Sequence, residues 1–320
     1  MKANRYMSMI STRLRGFPRR GGMKLVALGL ALGVSGCDDG FLDRNPLDTI
    51  SDESYWQTEN HLILAANGVY GYLKAKNTVD MENLADNTVW PTMTQYRQIS
   101  TGHYEYDLST FNTEWAVQYD GIRRANHFLE NYEQAQVSQE MKDRLAGEVR
   151  FIRAYLYFYL TELFGDVPFI TSTVDPDDEA LYGGRDSKEM IVDWMLNEFT
   201  EIAPNLPISY PQEDYGRITR GAALAMKARV ALYNERWEVA EEAARQVMDL
   251  GYYELYSNGD PESSYRELFT YEGRASRNSS NRESILVRTH LMDVSQHNLS
   301  REIWVPDQAI RWNPTQSLVD

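Results

Sequence analysis

A single cysteine, Cys37, stands in 320 residues, which excludes a disulfide framework and a cluster of thiolate zinc ligands. Basic side chains are scarce. The 32 Lys and Arg against 47 Asp and Glu leave a net charge of −15, which repels phosphates, so no nucleic-acid partner is expected. With 11 Pro and 20 Gly the chain is neither low-complexity nor collagen-like, and 42% hydrophobic residues are too many for disorder. The five histidines (His61, His103, His127, His290, His297) show no zinc-ligand spacing. A Gly-x-Ser-x-Gly elbow and a phosphate-cradling glycine loop are both lacking, so no catalytic residue, cofactor or metal site is expected. Asp175, Asp177 and Asp178 hint at a calcium loop. However, the sixth and twelfth positions are Ala180 and Asp186, where such a loop needs Gly and Glu, and the stretch reads as a solvated acidic loop.

What is present begins with an asymmetric leader. Residues 1–36 hold seven Lys or Arg and no acid, and the ten-residue apolar run 25–34 is too short to cross a bilayer as a permanent helix. The run follows Lys24 and leads through Val34-Ser35-Gly36 into Cys37. That order is the pattern of a lipoprotein signal peptide, with cleavage leaving Cys37 as the lipid-bearing N-terminus. A start at Met23 would give a signal peptide of ordinary length, the alternative being a long basic segment before it. Without residues 1–36 the formal charge falls to about −22, so acyl chains rather than basic residues would hold the chain at a membrane. Asp38 and Asp39 follow directly. Such acids suggest inner-membrane retention in one bacterial lineage and surface export in another.

The remainder reads as mainly α. Asn45-Pro46 and residues 51–54 suit an extended lead-in. Apolar side chains at Leu62, Ala65, Val69 and Leu73 predict a helix over 61–76, and residues 77–110 read as a long ordered excursion. Helices are predicted over 114–133, from an N-cap at Ser138 to Gly165, and from an Asp186-x-x-Glu189 start to Ile202. The aromatic residues Tyr155, Tyr157, Phe158 and Tyr159 are read as packing. Residues 219–234 and 236–250 form the clearest unit, two helices spanning about 33 residues with Ala and Trp punctuation. Ala240, Ala244 and Val247 are the predicted facing stripe, with Trp237 in the core.

Several motifs fall in a telling order: Phe41-Leu42-Asp43 and Tyr55-Trp56, then Arg150-Phe151-Ile152-Arg153-Ala154-Tyr155, and Leu163-Phe164-Gly165-Asp166-Val167-Pro168. Arg217-Ile218-Thr219-Arg220-Gly221, Gly251-Tyr252-Tyr253, Glu283-Ser284-Ile285-Leu286 and Asn313-Pro314-Thr315-Gln316 follow. Together with the lipobox they resemble the SusD/RagB family of outer-membrane lipoproteins. The resemblance implies tetratricopeptide-like helix pairs with long irregular loops. It implies lipid anchoring at the outer membrane, facing the cell exterior, over a SusC-like TonB-dependent transporter as partner. It also implies binding of a nutrient, commonly a glycan and sometimes a peptide, without chemistry. Residues 37–285 would be the N-terminal helical region and 286–320 the beginning of the C-terminal region, incomplete because family members are longer.

A sugar needs flat aromatic area and a few planar polar groups. Aromatic residues outside helical stripes are Trp90, Tyr96, Trp304 and Trp312, with Asp86, Asn87 and Arg97 as polar partners. Residues 81–106 and 300–312 occupy the places from which the family draws ligand contacts. Each Trp could equally pack beneath its own loop. An interaction scaffold of the transporter complex, with a peptide or no ligand, is the alternative function; an extracellular glycan hydrolase is the weakest reading.

Overall fold

The computed structural model describes residues 55–75, 77–90, 95–175, 177–271, 273–274, 281–290 and 313–316. The signal peptide 1–36 with Met23, Cys37, the lead-in up to residue 54, Trp304 and Trp312 lie outside the described residues. The helices are α1 (Glu59–Tyr70), α2 (Asn77–Met81), α3 (Gln95–Ser100), α4 (Ser109–Asn131), α5 (Gln139–Phe164), α6 (Lys188–Ile202), α7 (Arg220–Tyr233), α8 (Trp237–Asp249) and α9 (Ser264–Leu268). Strands β1 (Thr88–Val89) and β2 (Asn313–Pro314) form a two-stranded antiparallel ladder. The mainly α class holds, and long irregular connections join the helices.

Side-chain caps start most of the long helices. Thr58, Ser138, Ser187 and Thr219 each accept the backbone N–H three residues on, opening α1, α5, α6 and α7. Helix α6 therefore begins from Ser187 and not from Asp186. The Asp186 carboxylate is occupied elsewhere, accepting the Phe169 N–H at 2.8 Å, while its backbone bridges Val167. Helix α1 ends at Tyr70, six residues before the predicted end, because the next residues serve other partners: the Lys74 N–H donates to the Tyr155 hydroxyl and its ammonium reaches Glu114. Helix α4 starts five residues before the predicted position. There Ser109 and Thr110 bond the Gln95 side chain instead of competing for the helix backbone.

Each long helix packs on the next, α4 on α5, α5 on α6, α6 on α7 and α7 on α8, with α1 laid across α4 and α5. Helix α5 is the spine. From Leu145 to Leu160 almost every side chain is buried, including Phe151, Ile152, Tyr155, Leu156, Tyr157 and Phe158, while Tyr159 is half-buried. In the α7–α8 pair Gly221 lets the Tyr253 ring lie against the α7 backbone, where a Cβ would collide with it. Two parts of the predicted facing stripe are corrected. Ala243, not Ala244, joins Ala240 and Val247 in the buried face. Trp237 is 57% exposed: it is the first residue of α8, and helix side chains tilt toward the N-terminus, where no preceding turn of α8 covers it.

Polar groups inside this stack are matched in sets. Glu148 on α5 is fully buried, and its carboxylate accepts from Arg217 at 2.8 Å, Arg144 at 2.9 Å, the Tyr70 hydroxyl at 2.9 Å and the Tyr210 hydroxyl at 2.8 Å. Tyr70 in turn accepts the Ile218 N–H. Two residues on, Arg150 clasps Glu198 of α6 with two bonds of 2.9 and 2.7 Å, and Arg153 reaches the same carboxylate at 3.4 Å. Burial pushes the Tyr70 phenol well above its ordinary pKa, reinforced by the adjacent Glu148 charge. The Arg217 guanidinium, though desolvated, is held up by Glu148 and Asp214.

Two outcomes follow from these placements. Glu148→Ala, which strands a buried arginine and two phenols, is expected to lower the unfolding free energy in a urea titration by about 3–5 kcal/mol. Trp237→Ser, at an exposed position, is expected to change it by no more than about 0.5 kcal/mol. A large loss at Trp237 would restore that ring to the core.

Candidate functional site

The excursion between α1 and α4 is folded back on itself by local bonds. A 3₁₀ turn at Glu82–Leu84 follows α2 directly, and buried Asn83 donates to the Asp80 carbonyl at 3.0 Å. Asn87 donates to the Glu82 carboxylate at 3.0 Å, closing the turn that leads into β1. Helix α3 packs on this turn and sends Arg97 to the Trp90 carbonyl at 2.8 Å. Tyr96, half-buried on α3, has its phenol pushed up to about 12, chiefly by burial and then by the Glu114 and Asp80 carboxylates.

Five of the sequence-predicted site residues thus come together: Asp86, Asn87, Trp90, Tyr96 and Arg97. Their exposures differ. Asp86 is open and Asn87 half-buried, but Trp90 is only 8% exposed, so in this conformation it presents little flat face to solvent. Trp304 and Trp312 lie outside the described residues, as does the lipid-attachment residue Cys37.

The C-terminal motif joins the same place. Val89 pairs with Asn313 and Thr88 with Pro314, the Thr315 N–H donates to the Asn87 carbonyl at 3.0 Å, and the Thr315 hydroxyl bonds the Asp86 carbonyl. A stretch more than 200 residues distant in sequence is thereby pinned beside the excursion. Three acceptors here, Asn83 Oδ1, Asn87 Oδ1 and Thr88 Oγ1, are buried with no hydrogen-bond partner among the described residues. That is an uncommon concentration of incomplete polar pairing.

A second concavity was not singled out by sequence reasoning. A groove of about 570 Å³ runs between α4 and the extended segment after α5. Trp115, Tyr119, Asp120, Ile122, Arg123 and Asn126 of α4 supply one wall; Pro168, Ile170, Ser172 and Val174 supply the other at period two. Tyr119 donates to the Pro168 carbonyl at 2.8 Å, and Asn126 donates to the carbonyls of Ile170 and Ser172 at 3.1 and 2.9 Å. The alternation of residues 168–174 was the available signal, hidden because no regular strand forms. Among the described residues no group of His, Cys, Asp or Glu could hold a metal ion, and no helix is long and apolar enough to cross a membrane.

Comparison with known proteins adds identity to this geometry. A SusD-like family model, described as starch-binding and associating with the outer membrane, matches residues 41–232. The chain is 24% identical over 238 residues to the SusD-like protein P25 of Formosa agariphila, covering 69% of this chain and 45% of that one. It is 25% identical over 280 residues to a SusD-like protein of Bacteroides ovatus, covering 82% and 48%. The chain therefore spans about half the length of these relatives. Among solved structures it is similar to a SusD-like protein of Bacteroides fragilis, at 30% identity and TM-score 0.67, over 78% of this chain and 48% of that one. It is also similar to a SusD-like carbohydrate binding protein of the same species, at 26% identity and TM-score 0.73, over 81% and 52%. With the family model running from before α1 to the end of α7 and the helical array superposing on such structures, the chain belongs to the SusD-like family.

Proposed function

We propose that this chain is a lipid-anchored surface protein of the outer membrane that binds an oligosaccharide, without catalysis, and passes it to a SusC-like TonB-dependent transporter. The observation that carries the reading is the β1–β2 ladder. It joins the excursion holding Asp86, Asn87, Trp90, Tyr96 and Arg97 to Asn313 and Pro314, which follow Trp312 in sequence, and this supports the reading. Family membership and the carbohydrate-binding relative support the ligand class. The same reading divides the chain into a signal peptide at 1–36, a helical region at 37–285 and the start of a C-terminal region at 286–320.

One observation favours the interaction-scaffold reading as a companion. Leu232 and Tyr233 at the end of α7 and Trp237 at the start of α8 are 53%, 63% and 57% exposed, an apolar tip on the helix pair suited to a protein partner.

Three outcomes check the proposal. Trp304→Ala is expected to weaken glycan binding in calorimetry by about tenfold or more, in line with loss of an aromatic stacking platform. Transporter co-purification should stay unchanged, whereas unaltered affinity across a glycan panel rejects the site. Ending the chain at residue 312 removes β2, and hydrogen exchange at residues 86–90 should accelerate while that of α5 does not change. Cys37→Ser should move the protein from the membrane to the soluble fraction on cell fractionation. Retention in the membrane would overturn the anchor.

A further inference from the structure

The groove between α4 and residues 168–174 has walls held in place by hydrogen bonds. Its two walls are tied together beneath it by Tyr119 and Asn126, and Asn126 is itself fixed by Arg153, which donates to its Oδ1 at 2.9 Å. The Thr173 N–H and hydroxyl are both taken by Glu130, the N–H at 2.6 Å, which holds the extended wall in place. The volume of about 570 Å³ falls within the range of small-molecule sites. Half-buried Trp115 and Tyr119 give it an aromatic end, and Ile122, Pro168 and Ile170 an apolar floor.

Charge at the rim is mixed: Asp120 and Arg123 both line the groove, but its carboxylates already hold donors. Asp120 is engaged by the Tyr72 hydroxyl and by Arg124 at 3.8 Å. Asp186 is occupied by the Phe169 N–H and Glu130 by Thr173. The Arg185 guanidinium lies 5.9 Å over the Trp115 ring and, among the described residues, donates to the carbonyls of Phe164 and Asp166. Arg123, exposed on α4, makes no hydrogen bond or ion pair among the described residues. Of the charged residues that line the groove, Asp120 is thus engaged and Arg123 is left without an ion pair among the described residues. An aromatic end, an apolar floor and an available guanidinium suit a ring with one apolar face and one carboxylate.

We infer that this groove is a second saccharide subsite, separate from the ladder region, that takes an acidic sugar and recognises its carboxylate through Arg123. The inference rests on the glycan-binding reading for its ligand class. It does not require the ladder site to be correct.

Titration calorimetry of the full chain with trigalacturonate and with its methyl ester, which keeps the rings and removes the charge, tests it. The free acid should bind and the ester bind more weakly. Arg123→Gln should weaken the acid by about tenfold, the scale of one lost charge-assisted hydrogen bond, and leave the ester unaffected. Trp115→Leu should weaken both, and circular dichroism should show each variant folded. Trp304→Ala should leave acid binding intact. An acid that does not bind, an ester that binds as tightly as the acid, or an Arg123→Gln variant of unchanged affinity overturns the subsite. Acid binding lost on Trp304→Ala instead assigns the ligand to the ladder region, overturning this inference alone. Acid binding that needs Arg123, with no glycan sensitive to Trp304→Ala, supports the groove and removes the ladder site.

Discussion

One buried carboxylate constrains the architecture more than any apolar contact. Glu148 stands in the middle of α5 with no exposure, and an ionised side chain there is tolerable only if its lone pairs are filled. The partners that fill them come from three separate stretches: Tyr70 from α1, Arg144 from α5 itself, and Tyr210 and Arg217 from the loop before α7. Arg217 continues outward to Asn67 at 3.0 Å and Asp214 at 2.9 Å, so the bonds spread from the carboxylate to the surface of α1. Apolar packing could tolerate a helix sliding by a fraction of a turn. A carboxylate with four directed donors cannot, so α1, α5 and the start of α7 share one register.

The second buried set extends that logic along α5. Arg150 and Arg153 are three residues apart and so share a helix face, and both converge on Glu198 of α6. Arg153 also lies 5.3 Å over the Trp194 ring and reaches Asn126 on α4. Burial pulls the Arg153 guanidinium down while the Glu198 charge opposes that pull, the signature of a cation kept inside by its partner. The run Arg150-Phe151-Ile152-Arg153-Ala154-Tyr155 therefore alternates two roles on one helix: arginines fix α4 and α6, and aromatic residues fill the space between.

Much of the helical array was legible because its signals are local. Ser138, Gly165 and Thr219 are terminal residues whose side chains or backbone angles act within a single turn, and the apolar periods of α5 and α7 are plain. The misses share a cause. Trp237 looked like core by residue type, yet helix geometry at a first-turn position throws its side chain backward into solvent. Asp186 looked like a cap by spacing, yet a nonlocal donor at Phe169 had already claimed it. The Gly251-Tyr252-Tyr253 motif has a nonlocal reason as well, since Tyr253 lies on Gly221 and meets the Thr219 hydroxyl at 2.9 Å.

The candidate site divides along the same line between local and nonlocal signals. That Asp86, Asn87, Trp90, Tyr96 and Arg97 sit close together could be expected from their sequence proximity alone. The junction of Asn313 and Pro314 with β1 could not, since two-residue strands carry no periodic pattern. Nor could the groove, because its helical wall reads as an ordinary packed stripe and its other wall as a loop. Asn126 ties the two walls together. Its amide spends both donor bonds on the carbonyls of Ile170 and Ser172 and its oxygen on Arg153, holding the extended segment where it forms a wall beside α4. The groove is therefore connected through Arg153 and Glu198 to the inter-helix ion pairs. The wall of the groove and the α5–α6 contact thus share one set of polar bonds, distinct from the set around Glu148.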